Sequence, residues 1–431
     1  MKSIQQFFVI LLIVVGFTTT ISAQNIILKQ SNESGVYKEG EKIEVTVLLK
    51  ELEVDSLTVE IRINYSNKTS VEKVAYLGTE LEIFSRSFDK PASVIFKVKA
   101  DSVALSIGSV VAPEKFTAST VRPKDFRKYW KGEKKSLRKL PMKVKSTPIA
   151  NFENSYSCND IELNCTGSKP ARGYFVKPDL AKEKSLPIVL IVHAAGVKGS
   201  WCLAKPENAL RYAKMGNGAL CFDLNAHGML NGQPQEYYDN LEAGELKGYM
   251  HFGLENRDEN YFRDMYLRLL RTLDFLTDQP EWDGKRIIVI GESQGGGQAL
   301  AAAGLDKRVT AAVATVPAMC DWGRTLIGEK GGWPNPFSTK NSREKMLKTV
   351  PYFDAVHLLK GSKATLVTEV GFIDNTCPSA SVYAAINQSK GKKIIFGVPY
   401  REHNLRQESF RKTWENEVYK PKMRFIENFL K

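Results

Sequence analysis

Gly291-Glu292-Ser293-Gln294-Gly295 stands between an apolar run, Ile287-Ile288-Val289-Ile290, and an alanine-rich one, Gln298-Ala299-Leu300-Ala301-Ala302-Ala303. A strand, Gly-x-Ser-x-Gly and a helix, in that order, form the strained turn that exposes a serine oxygen as a nucleophile. Side chains at positions 291 and 295 would collide with neighbouring backbone, which is why glycine is needed at both. The amide of Gln294 would open the helix and point at an oxyanion developing on an attacked carbonyl. The chemistry this implies is acyl transfer through Ser293.

Such a serine needs a base, and the chain has five histidines. His193, His227 and His251 precede Ser293, whereas in this arrangement the order is serine, acid, histidine. His357 lies in an apolar helical stretch, 352–359, and reads as structural. His403 follows the last strand, in Pro399-Tyr400-Arg401-Glu402-His403-Asn404, and is the expected base. The acid should end the preceding strand, and Val367-Thr368-Glu369-Val370-Gly371-Phe372-Ile373-Asp374 supplies Asp374 there. Glu369 falls within that strand and Asp354 precedes a helix, so both are weaker choices. A second oxyanion donor is expected from Val192-His193-Ala194-Ala195-Gly196, at Ala195; a tight turn requiring small residues is the alternative. Segment 321–350, rich in Gly, Pro and Trp, breaks the strand–helix rhythm and reads as a lid. Trp322 and Trp333 in or beside it are candidates to stack on sugar rings, with plain packing as the alternative.

The positioning elements fall into two regions. From 24 to 113 the chain alternates polar and apolar residues in short runs such as Lys42-Ile43-Glu44-Val45-Thr46-Val47-Leu48-Leu49, the signature of a small antiparallel, immunoglobulin-like β-sandwich. From 114 to 431 strands and helices alternate, and Pro187-Ile188-Val189-Leu190-Ile191-Val192 is nearly all apolar, as a parallel strand covered on both faces should be. This predicts an α/β domain with a mainly parallel sheet, whose functional groups gather at the carboxyl ends of the strands. Met1-Lys2, an apolar stretch over 7–15 and Ala23 read as a signal peptide spanning 1–23, so a periplasmic or secreted location is expected. The apolar stretch is shorter than the roughly 18–20 residues of a membrane span. Six cysteines allow disulfides in such a compartment, and Cys158 and Cys165 are close enough to bridge a hairpin. No CxxC or HxxxH spacing occurs, so no metal is expected and no cofactor is needed. The formal charge of +13 invites a nucleic-acid reading. Most of the excess, however, sits between Arg122 and Lys145, where Phe126, Trp130, Leu137 and Leu140 repeat at helical spacing. That pattern predicts a docking helix with a solvated basic face, and no nucleic-acid partner.

Residues 287–322, ending in Val316-Pro317-Ala318-Met319-Cys320-Asp321-Trp322, resemble the acetyl xylan esterases that include cephalosporin C deacetylases. Asn260-Tyr261-Phe262-Arg263-Asp264-Met265-Tyr266, Gly371-Phe372-Ile373-Asp374-Asn375-Thr376-Cys377-Pro378 and Asp125-Phe126-Arg127-Lys128-Tyr129-Trp130 are similar to further motifs of that family. The resemblance covers about 120–430. It implies an α/β-hydrolase that removes acetyl groups from acylated sugars, with Ser293, Asp374 and His403 as triad and an acetylated oligosaccharide or polysaccharide as substrate. Three departures bear on the acyl pocket, subunit contacts and substrate. Ala194-Ala195 replaces an aromatic residue after His-Gly, Asn225-Ala226-His227 replaces Arg-Gly-Gln, and His403-Asn404 replaces His-Glu. Two other readings share some of these features. A prolyl oligopeptidase-type peptidase has the same elbow and order, but needs a propeller where only roughly 90 residues are available. A non-catalytic glycan-binding protein with a decayed hydrolase domain is the other. Oligomeric state is left open.

Overall fold

The computed structural model describes residues 25–431, so the expected signal peptide lies outside the described residues. The alternating N-terminal segments pair into two sheets. Ile26–Gln30, Lys42–Leu49 and Leu81–Ser87 form a three-stranded one. Val36–Tyr37, Val103–Val111, Ala92–Ala100, Ser56–Ile63 and Ser70–Ala75, in that spatial order, form a five-stranded one. Every second residue of Lys42–Leu49 is buried, as period two demands of a half-covered strand. Ile43, Val45, Val47 and Leu49 meet Leu57, Val59, Phe96 and Val98 of the opposite sheet. The sandwich core is thus made from the residues that alternation marks.

The rest of the chain builds one nine-stranded sheet. From one edge it runs Lys393–Val398, Thr365–Gly371, Ala311–Thr315, Trp282–Glu292, Leu186–Val192 and Leu220–Asn225, all parallel to their neighbours. Ala171–Pro178, Tyr156–Leu163 and Val144–Pro148 complete it antiparallel. These last three strands carry no pattern as strong as that of the parallel ones. Val144–Pro148 is exposed at every position, so no apolar run announces it. All seven residues of Leu186–Val192 are buried because helices cover both faces. Ile188, Leu190 and Val192 pack with helices Tyr261–Thr277 and Gln294–Leu305. Val189 and Ile191 pack with Pro206–Ala213 and Lys420–Leu430. The sheet order with its antiparallel edge is that of an α/β-hydrolase, preceded by a small all-β unit.

The basic lead-in is helix Phe126–Lys139. Its buried stripe is Phe126, Trp130 and Leu137, with Leu140 half-buried just past the helix end, while Arg127, Lys128, Lys131, Lys135, Arg138 and Lys139 face solvent. The Trp130 indole N–H donates to the Tyr352 carbonyl at 2.9 Å and Lys134 donates to the Leu305 carbonyl at 2.8 Å. Segment 321–350 folds as the short 3₁₀ helices Trp322–Ile327 and Pro336–Ser338 and the helix Arg343–Thr349. Cys158 and Cys165 carry separate thiols, as do the other four cysteines. No helix of the described residues is long and apolar enough to cross a membrane.

Candidate active site

Strand Trp282–Glu292 delivers Ser293 to the carboxyl edge of the sheet, and helix Gln294–Leu305 begins immediately after it. Ser293 has φ 55° and ψ −119°, a left-handed backbone that an L residue adopts only under constraint. Its N–H donates to the Thr315 carbonyl at 2.9 Å, and its own carbonyl accepts from the N–H groups of Gly297 and Ala318. A Cβ on Gly291 would lie 2.4 Å from the Gly295 carbonyl carbon, and one on Gly295 would lie 2.4 Å from the Val192 oxygen. The glycines are therefore required by close backbone approach.

The ends of strands Thr365–Gly371 and Lys393–Val398 bring the partners. Strand Thr365–Gly371 is followed by the loop carrying Asp374, whose carboxylate is fully buried. Asp374 Oδ1 accepts from the amides of Thr376 (2.7 Å) and Cys377 (2.8 Å), and Oδ2 faces His403 Nδ1 at 2.8 Å. A carboxylate can only accept, so Nδ1 carries the proton and Nε2 is free to accept from Ser293 Oγ, 2.9 Å away. The structure thus joins Ser293, His403 and Asp374 in one directed hydrogen-bond chain. A serine in such a chain can give its proton to the imidazole as it attacks a carbonyl.

Ser293 and His403 open onto a cleft of about 850 Å³ that Ala194, Ala195, Trp201 and Trp333 help to line. Trp333 is therefore at the cleft, but Trp322 is not. It is 2% exposed, packs on Phe262, and donates its indole N–H to the Trp333 carbonyl at 3.0 Å. Trp322 is a core residue, because the amides of Asp321 and Trp322 are tied down by the Asp354 carboxylate at 2.8 and 2.7 Å. Asp354 also caps helix Ala355–Leu358; burial, and next the Asp321 charge, push it up to about 8. Glu369 is buried within its strand, with Lys422 at 2.6 Å and Arg401 at 2.9 Å. Burial alone would raise its carboxyl, but those two cations together hold it below the usual carboxylate range. Neither rival acid faces His403.

Among the other histidines, His193 pairs with buried Asp223, and His357 bonds Thr120 at 2.9 Å. His227 has a place that spacing did not reveal. Its Nε2 lies 2.8 Å from the Gly196 carbonyl, which only accepts, so Nε2 bears the proton and Nδ1 takes the Tyr261 hydroxyl. Burial lowers its pKa to about 3, keeping it neutral. Tyr249 packs edge-on against this imidazole at 4.5 Å and donates its hydroxyl to Gln294 Oε1 at 2.6 Å. One buried network therefore holds both the 193–196 loop and Gln294. The only sequence trace of it was the departure Asn225-Ala226-His227.

One group of potential metal donors occurs among the described residues: Asp374, Cys377 and His403, with ligand atoms within 4.8 Å of one another. Asp374 and His403 are already committed to each other. Burial raises the Cys377 thiol well above its usual range, so it is protonated and a poor ligand.

The acetyl xylan esterase (AXE1) family profile matches residues 112–420. The acetyl esterase Axe7A of Xylanibacter ruminicola is similar over 378 residues at 29% identity, covering 85% of this chain and 84% of that one. Among solved structures, the acetyl xylan esterase from a Paenibacillus species matches with a TM-score of 0.60 at 25% identity, over 74% of this chain and 98% of that one. Acetyl xylan esterase 1 from a Thermoanaerobacterium species has the same fold, with a TM-score of 0.59 at 22% identity over 74% and 97% of the two chains. The chain is a carboxylic ester hydrolase, and it belongs to the acetyl xylan esterase family.

Proposed function

We propose that this protein is an exported serine esterase that deacetylates sugars or polysaccharides such as acetylxylan, with 1–23 as signal peptide, 24–113 as β-sandwich domain and 114–431 as catalytic domain. The observation that carries the mechanism is the chain Asp374–His403–Ser293, with links of 2.8 and 2.9 Å, at the wall of the cleft. Ser293 Oγ bonds to the acetyl carbon as its proton passes to His403 Nε2. The negative charge moves to the carbonyl oxygen, where the amides of Gln294 and Ala195 receive it. Collapse breaks the ester bond, and His403 returns the proton to the leaving sugar oxygen. Water, losing a proton to His403, then attacks the acetyl carbon; the bond to Ser293 Oγ breaks, His403 returns the proton to Oγ, and acetate leaves. Asp374 keeps the imidazole in the tautomer that accepts from serine and stabilises the imidazolium.

Trp333 borders the cleft and is suited to packing against a sugar ring. Export is supported by Met1-Lys2, the apolar stretch 7–15 and Ala23. The peptidase alternative lacks support from the N-terminal region, where the described residues form two small sheets. The decayed-enzyme alternative is opposed by the unbroken chain from acid to serine. Ser293→Ala should lower kcat for acetyl-ester hydrolysis by about 10⁴-fold or more and abolish labelling by a serine-directed fluorophosphonate. Unchanged hydrolysis in that variant would refute the mechanism. Cleavage of aminoacyl-proline amides in preference to acetyl esters would favour the peptidase.

A further inference from the structure

The five-stranded sheet buries one face beneath its three-stranded partner and turns the other toward the acid and histidine loops. Along Ser56–Ile63 and Ala92–Ala100, Leu57, Val59 and Val98 enter the sandwich core, whereas Glu60, Arg62 and Lys97 project from the opposite face. That face is anchored on both loops. Tyr65 donates its hydroxyl to the Phe372 carbonyl at 2.8 Å, and Tyr65, Ile95 and Ile373 form a small buried cluster. The Gly108 N–H donates to the Pro399 carbonyl at 2.8 Å, and Gln407 bonds the backbone of Ser106 in both directions at 3.1 Å.

Between these anchors a second cleft of about 500 Å³ remains open. Glu60, Arg62 and Lys97 form its sandwich wall, and Asn375, Glu402 and Arg406 line it from the hydrolase side. His403, Thr376 and Asn404 line both this cleft and the larger one, so the two meet at the catalytic imidazole. The linings differ in kind. Trp201, Trp333 and Trp414 reach the larger cleft, while among the described residues no Phe, Tyr or Trp lines the second. Ring stacking is therefore not how the second cleft would hold a ligand.

Charge is the remaining handle. Glu60 is engaged by Lys99 at 2.5 Å and Lys97 at 3.8 Å. Arg62 bonds the neutral side chain of Asn375, and neither Arg62 nor Arg406 has a carboxylate partner within 4.0 Å among the described residues. Nearby, burial and then the Arg62 charge hold Lys330 below its usual value. Guanidinium groups pair with carboxylates through two parallel hydrogen bonds, a geometry a neutral hydroxyl cannot match.

We propose that this cleft is an accessory subsite for a uronate unit of the acetylated glycan, its carboxylate received by Arg62 and Arg406 with Lys97 behind them. The subsite rests on the deacetylase reading and deepens it. The N-terminal sheet thereby supplies one wall of the substrate path. Glu402 is placed to accept from sugar hydroxyls.

The test compares acetylated xylo-oligosaccharides with and without a glucuronate branch. The native enzyme should show a kcat/KM roughly tenfold higher for the branched substrate, falling at high salt. Arg62→Gln and Arg406→Gln should each bring that ratio toward one. Arg406 is exposed, so its variant keeps the test decisive if Arg62→Gln does not fold. Calorimetry on Ser293→Ala with the deacetylated oligosaccharides, branched and unbranched, reads binding without turnover, and the branched one should bind tighter. Equal kcat/KM for the two substrates, or a preference untouched by both variants, overturns the subsite and leaves deacetylation standing. Tighter binding of the branched oligosaccharide with no deacetylation of either substrate supports the subsite and sinks the glycan-deacetylase reading.

Discussion

Ser293 holds a left-handed backbone because three carbonyl and amide contacts leave it no other, and its oxygen is thereby aimed at His403. Gly295→Ala would set a Cβ 2.4 Å from the Val192 oxygen. We expect no folded, active protein from it, checked by circular dichroism and acetate release. Asp374→Asn should leave the fold intact yet lower kcat by about 10⁴-fold, because an amide can stabilise the wrong imidazole tautomer and offers no charge to imidazolium. His227 acts at one remove. His227→Ala would free the Gly196 carbonyl and loosen the loop carrying Ala195, so kcat should fall by about tenfold or more with KM little changed. His227→Gln, which retains an N–H donor, should recover most of the loss. That Ser293, Asp374 and His403 would come together was legible because spacing and chain order are local or one-dimensional properties. His227 was not, since its role depends on where Gly196 and Tyr249 arrive.

At the scale of elements, periodicity was the reliable guide. Phe126, Trp130 and Leu137 fall on one face of a helix whatever lies beneath it, and they are the residues buried. Trp130→Ala should cost about 3–5 kcal/mol of unfolding free energy, whereas Lys131→Ala should stay within about 0.5 kcal/mol, both read from denaturant curves. The edge strand Val144–Pro148 was illegible because exposure on every side removes the pattern that periodicity needs. Trp322 and Trp333 were equally ambiguous. The chain holds both near one another, but only the Asp354 carboxylate, arriving from a later helix start, draws the Trp322 backbone inward. The segment that read as a lid is short helical turns, and it contributes Trp333 to the cleft.

For the molecule as a whole, buried ionisable groups set its response to acid. Burial lowers His227 to about 3 and His357 to about 4, from an ordinary 6.5. Depressed histidines bind protons in the unfolded chain before the folded one. Their neutral forms therefore give full stability above pH 6.5, and that stability drains as pH falls toward 4 and then 3. Each pKa unit of difference is worth about 1.4 kcal/mol per group. The melting temperature should drop steadily over this window, and His357→Gln should flatten part of the slope. Glu369, held low by Lys422 and Arg401, adds a later loss, below the ordinary 4.5 as its folded pKa is passed. Replacing it by Gln would strand two buried cations and should cost about 3–5 kcal/mol, measurable by urea denaturation at neutral pH. The +13 charge, by contrast, has most of its excess between Arg122 and Lys145, on and around a solvated helix face, and explains none of this. The sequence by itself determined the two kinds of sheet, the Gly-x-Ser-x-Gly turn, and the order in which Ser293, Asp374 and His403 follow one another, since hydrophobic period and spacing are written in short windows. Only the tertiary structure decided that Trp322 is core, that His227 braces a loop, and that Arg62 meets Asn375, 313 positions away, at a second cleft. Those outcomes depend on which surfaces pack together, and no local pattern carries that information.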